Sequence, residues 1–332
     1  MKKTTVISSL CVATIFALLV GCSKREESNA SSGAGDTVAG RVSKSDDPAE
    51  LKVKWPIGTT YSMRMELDQT SETKVPNQPE PIQQAVKMTQ DFDMSAVKEL
   101  ANGGRQLELQ FKGLTMTVSQ EGQQVMNFDS ARSESGDAGN PIVPLLRKMV
   151  GARLLYVIDA SGKVEKVEGV SELMTRIGFN RKSQTHAMFG QMFSEETLKQ
   201  YGAFGEAMPN RIVKVGESWS DEREMDSGIG RMNVDMKSTF KNWNQYGDYK
   251  CALIRVEGKM SSASGAPSPG TTITMEKGTT SGDIWFDPVL GMIVNQIVNQ
   301  DMTLKMMAGS QSISPQIKQR IRVALERVSK AR

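Results

Sequence analysis

From residue 51 onward the chain alternates apolar and polar residues with a period of two. In Tyr61-Ser62-Met63-Arg64-Met65-Glu66-Leu67 every second side chain is apolar, and those between are polar or charged. Successive side chains of a strand point to opposite faces, so the pattern predicts strands with one buried and one wet face. It returns at Met88 to Ala96, Leu107 to Phe111, Leu114 to Val118, Met232 to Phe240, Ala252 to Val256, Ile273 to Phe286 and Ile293 to Leu304. Alternation over so many segments predicts a mainly β (α+β) fold of antiparallel, curved sheets.

The punctuation between these segments repeats in order. Gly58 leads into a strand that opens on Tyr61, and Gly216 into one that opens on Trp219. Met88 through Gly113 lies alongside Met232 through Gly258, with Asn102-Gly103-Gly104 facing Gln245-Tyr246-Gly247-Asp248 as hairpin turns. Each half closes on a second hairpin, Tyr156 to Val164 and Ile284 to Ile293, whose turns begin at Asp159 and Asp287 and end at Gly162 and Gly291. Glycine turns recur in any strand-rich chain, but here order and spacing also agree. The pattern therefore predicts two similar halves, residues 51–169 and 210–332.

Between them, over residues 170–209, the period changes to three and four. Val170 to Ile177, Gln184 to Phe193 and Glu195 to Ala207 read as short helices, with Ser194 as a cap and Pro209 as a stop. Asn140-Pro141 marks another short helix over Ile142 to Met149. Near the C-terminus, Ile321, Val323 and Leu325 alternate as a strand, while Ile317, Ile321, Leu325 and Val328 also share a helical face after Ser314-Pro315. The alternation favours strand.

The first 50 residues have a different composition. Lys2 and Lys3 precede the apolar run Leu10 to Val20, which is too short to cross a bilayer and reads as a signal-peptide core over residues 1–21. The run ends in Leu19-Val20-Gly21-Cys22, which resembles the lipobox of bacterial lipoproteins. That resemblance implies cleavage before Cys22, a diacylglyceryl group on its sulfur, and a membrane partner reached through the lipid. Ser23 stands where an aspartate would retain a lipoprotein at the inner membrane in the enterobacterial scheme. The expected location is the cell envelope, facing the periplasm or the cell surface, with the outer membrane favoured. Residues 22–50 are rich in Ser, Gly, Ala and charge, and read as a tether with a span of about 30 Å.

Of three cysteines, Cys11 leaves with the signal peptide and Cys22 carries lipid, so Cys251 is the one remaining thiol and no disulfide forms within a molecule. In its strand-like run it reads as buried and inert. Removing Lys2 and Lys3 from the 41 basic residues leaves 39 against 38 acidic ones, a balance unlike that of a nucleic-acid binder.

Few chemistries survive inspection. Gly216-Glu217-Ser218-Trp219-Ser220 lacks the closing glycine of a nucleophile elbow and runs into a strand rather than a helix. Ser95 with Lys98 and Ser238 with Lys241 match a Ser-x-x-Lys spacing, without the Ser-Asp-Asn or Lys-Thr-Gly partners such enzymes carry. His186, Met188 and Met192 are spaced to meet near one helical turn, as a soft Cu(I) site requires. The other reading of the 21 methionines is as adaptable core filler. Acids are abundant, yet no spacing singles out a catalytic pair. No enzyme activity, catalytic residue or cofactor is predicted.

Binding is the function left. A curved sheet with a methionine-rich apolar face, partly covered by helices, is loosely similar to half-barrel lipoproteins that handle lipid or sense envelope state. The likeness implies an apolar or lipid-like ligand under a lid formed by Met188, Phe189, Met192 and Phe193. The alternative is a structural or assembly lipoprotein that meets envelope proteins through its sheet edges.

Overall fold

A computed structural model describes residues 42–43, 46–76, 78–133, 140, 142–178, 194–202, 206, 208–227, 230–263, 272–308 and 311–330. The alternating segments are strands, and they are long. The first half holds β3 (Thr59–Lys74), β4 (Ile82–Glu99), β5 (Arg105–Gln120), β6 (Gln123–Asp129), β7 (Arg153–Ile158) and β8 (Val164–Glu168). The second holds β10 (Ser218–Ser227), β11 (Gly230–Tyr246), β12 (Tyr249–Ser262), β13 (Thr272–Asp287), β14 (Met292–Ala308) and β15 (Gln311–Lys330). Two short strands precede them, β1 (Val42–Ser43) and β2 (Ala49–Leu51), and β9 (Arg211–Val213) lies between the halves.

Both halves belong to one antiparallel sheet of thirteen strands, ordered β1-β11-β12-β13-β14-β15-β3-β4-β5-β7-β8, with β10 added on β11 and β6 on β5. The run β3-β4-β5-β7-β8 follows chain order except that β6 and α1 intervene between β5 and β7, and β10 to β14 pair in unbroken chain order. The join is β15, which pairs with β14 on one side and with β3 on the other. The C-terminal segment is therefore a strand, with Ile317, Ile321 and Val323 buried on one face. Bulges at Asp91/Phe92, Phe240/Asn242, Met275/Lys277, Trp285/Phe286 and Leu325/Arg327 bend the long strands. At Gly282 the neighbouring strand comes so close that a side chain would run into the Ile297 carbonyl.

One face of the sheet is apolar and carries two cores. The first packs Tyr61, Met63, Met65, Leu67, Phe92, Met94 and Leu109 under three helices, α1 (Val143–Met149), α2 (Val170–Ile177) and α3 (Glu195–Gly202). Val143, Leu145, Leu146, Met149, Leu173, Ile177 and Leu198 are the buried helical side chains in it. The Ser194 hydroxyl accepts the Thr197 amide at 3.2 Å, the expected cap of α3. The stretch Gln184 to Phe193, expected as a helix, lies outside the described residues. The second core packs Met232, Val234, Met236, Phe240, Ile254, Phe286 and Val298 with Leu51, Val213 and Trp219. Each large side chain fully buried in this way contributes about 1.5–3 kcal/mol.

The end of the expected tether is a correction. Val42–Ser43 pairs with β11, and Ala49–Leu51 pairs with β9. Ala49 and Leu51 are buried in the second core, and the Trp243 indole donates to the Asp47 carbonyl at 2.8 Å. Ala49 and Leu51, two positions apart across the expected end of the tether, suffice to seat a short strand, although residues 22–50 are polar on average.

Candidate functional site

Of the residues the sequence nominated, Cys22, His186, Met188, Phe189, Met192 and Phe193 lie outside the described residues. Cys251 is buried, and burial, then the nearby Asp287 carboxylate, push its thiol up to about 12. Ser218 sits in β10, its hydroxyl 2.8 Å from that of Thr239 on the paired strand. Among the described residues no helix is long and apolar enough to cross a membrane.

The polar face is ordered by pairs of charges across neighbouring strands. Arg64 meets Asp91 through two bonds of 2.8 and 3.1 Å, and Arg255 meets Asp283 through two of 2.6 and 3.1 Å. Arg322 is the most connected. Its Nη1 donates to Glu66 at 3.1 Å, its Nε to the Asn295 amide oxygen at 3.1 Å and its Nη2 to the Tyr246 hydroxyl at 3.2 Å. Burial acts to lower its pKa, but the bonds it donates to Tyr246 and Glu66 outweigh that, and the net shift is upward.

The contact with Tyr246 reports shape. Arg322 is on β15 and Tyr246 on β11, four strand spacings away, or about 19 Å on a flat sheet. Side chains upright on a flat sheet could not touch across that distance, so here the sheet bends toward its polar face. Tyr246 packs on Trp285 with ring centroids 5.5 Å apart, over a small apolar cluster of Cys251, Leu253, Trp285 and Val294.

That bend encloses a cleft of about 530 Å³. Tyr246, Trp285 and Ile297 form its apolar wall, and Glu66, Asp68, Lys87, Arg320 and Arg322 its charged floor. Asn295 lines it with 1% exposure. A guanidinium can only donate, so the bond from Arg322 fixes which end of the Asn295 amide is oxygen. The other end, Nδ2, is a buried donor with no acceptor among the described residues.

A second polar feature crosses the apolar face, where the two cores meet. Thr280, Gln300, Gln319 and Gln69 stand in register on β13, β14, β15 and β3, all buried. Gln319 donates to Gln300, while the Thr280 hydroxyl, the Gln300 Nε2 and the Gln69 Oε1 have no partner among the described residues.

Neither feature was nominated from sequence. Tyr246 was legible as turn punctuation, but Glu66, Asn295 and Arg322 look like any wet positions of alternating strands. The glutamines do carry a faint signal, since each interrupts the apolar phase of its strand.

This arrangement defines a class: a mainly β protein built on one long antiparallel sheet with a cleft on its polar face. The chain belongs to a family of unknown function, DUF6263, whose model matches residues 102–293. No curated protein matches it in sequence. Among solved structures it is similar to lipovitellin, described for its lipid–protein interactions, at 10% identity and a TM-score of 0.45 over 84% of this chain. It spans only about a quarter, 26%, of that chain. A putative exported protein of Bacteroides fragilis with a YmcC-like fold is 8% identical at a TM-score of 0.27, over 85% of this chain and 100% of the other. DynF of Micromonospora chersina is 6% identical at 0.21, over 89% of this chain and 92% of its own. At such scores these likenesses carry no weight for what the chain does.

Proposed function

We propose that the protein is a lipid-anchored cell-envelope lipoprotein, held through Cys22 at the outer membrane. Its folded part has a non-catalytic binding role and holds an apolar or lipid-like ligand on the methionine-rich face of the sheet. The lipobox Leu19 to Cys22 supports the anchor. The observation that carries the ligand reading is the buried row of Thr280, Gln300 and Gln69. Each unmet buried polar group costs about 1–3 kcal/mol, and a core meant to stay filled by its own side chains gains nothing from three of them. With Met236, Met260, Met302 and Met116 buried on the same face, a soft and adaptable surface, they suit a guest with a long apolar body and a polar end.

The sheet edges speak against assembly by strand addition. At one end β8 has only five residues. At the other, β10 turns Asp221 and Arg223 inward, a device that blunts an edge.

Native mass spectrometry of the unlipidated chain from Ser23 to Arg332, exported and purified without detergent, tests the ligand. A reproducible extra mass identified as an amphiphile is expected. A clean unliganded mass, with nothing taken up from an added lipid extract, would overturn the reading. For the anchor, labelled palmitate should enter the wild type and not Cys22→Ala.

A further inference from the structure

We propose that the cleft on the polar face is a second binding site. It takes a small organic oxyanion, a carboxylate or a phosphate carried on an aromatic or apolar body. It lies across the sheet from the methionine-lined face, so it does not depend on the lipid reading.

Charge bookkeeping on the floor points to an anion. Glu66 is bound by Arg322, and Asp68 lies 3.7 Å from Lys87, so both carboxylates are compensated. Arg320 faces Asp68 across the β15–β3 pair, yet among the described residues it forms no ion pair. One guanidinium is thus left over in the lining of the cleft. Asn295 adds a donor without an acceptor in the wall. Arg322 has committed three of its five N–H groups, and its three bonds hold it rigid, so the remaining donors are pre-oriented.

The rest of the cleft selects the body of the ligand. Tyr246, Trp285 and Ile297 offer an apolar wall beside those donors, and about 530 Å³ suits a molecule of one or two rings. Inorganic phosphate alone would leave that wall empty.

The test is calorimetric titration of the Ser23 to Arg332 chain with 1-naphthyl phosphate, 1-naphthoate and uncharged 1-naphthol. One or both anions should bind one to one, at least tenfold tighter than naphthol, and the tighter of them identifies the oxyanion. Arg320→Gln should weaken that binding at least fivefold. Asn295→Asp, which still accepts from Arg322 but no longer donates, should abolish it. Uptake from a lipid extract should be unchanged in Arg320→Gln, which separates this site from the one on the opposite face. Because Arg320 is exposed, its variant decides the matter even if Asn295→Asp does not fold. Absence of binding by both anions, equal binding of naphthol, or wild-type affinity in Arg320→Gln would each overturn the proposal.

Discussion

On β3, Met65 and Leu67 point into a buried core, while Glu66 and Asp68 on the same strand line a cleft open to solvent. The two faces differ in more than polarity. On the apolar face a residue counts mainly by volume, and the frequency of methionine shows how loosely that is specified. On the polar face residues count by identity, because Arg322 needs Glu66, Asn295 and Tyr246 at three separate bond positions. Stability therefore concentrates on one face and specificity on the other.

The largest effect that could break this division is a cavity in the core. Phe286→Ala, at a fully buried site, should cost about 3–5 kcal/mol in denaturant unfolding, while Thr89→Ala in the cleft should stay within about 0.5 kcal/mol. Comparable losses from the two would mean that the polar face carries stability as well.

Next is the alkaline limb. Cys251 has its pKa raised in the folded state to about 12, from an ordinary value of 9.0. Below pH 9 both states hold the proton, and between 9 and about 12 the unfolded state loses it first. Stability should then fall by up to about 1.4 kcal/mol per pH unit as pH rises, and Cys251→Ala should remove that part of the slope. The native thiol should also resist maleimide at pH 8 and react on unfolding.

Smaller again is Arg322→Leu, which leaves Glu66, Asn295 and Tyr246 without their donor in a part-exposed setting. It should cost about 1–2 kcal/mol, and Arg322→Lys should restore little of it, since an ammonium cannot span three acceptors. The smallest effect has the opposite sign. Gln69→Leu removes an amide oxygen that has no partner and should stabilise the empty protein by about 1 kcal/mol, with weaker uptake of any amphiphile. A loss of stability would show that the amide is satisfied by water.

Much of the architecture was legible because it is local. The alternation in β3, β11 and β14 placed each side chain on its face, and Asp159 with Gly162 and Asp287 with Gly291 form the turns their order implies. Asp159 Oδ1 accepts the Ser161 and Lys163 amides, and Asp287 Oδ1 those of Val289 and Leu290. Ser194 caps its helix. The cleft was not legible, because the bond from Arg322 to Glu66 joins residues 256 apart and the one to Tyr246 residues 76 apart. No window along the chain contains them together.

Periodicity thus settled which side chains are buried and which are wet, since a strand alternates its faces whatever its neighbours are. Which strands become neighbours is another matter, because every strand offers the same row of backbone donors and acceptors. That β15 closes the gap between β14 and β3, merging two halves into one sheet, and that the sheet then bends until Tyr246 reaches Arg322, were decided by the packing of the two cores and by the bulges that curve the strands.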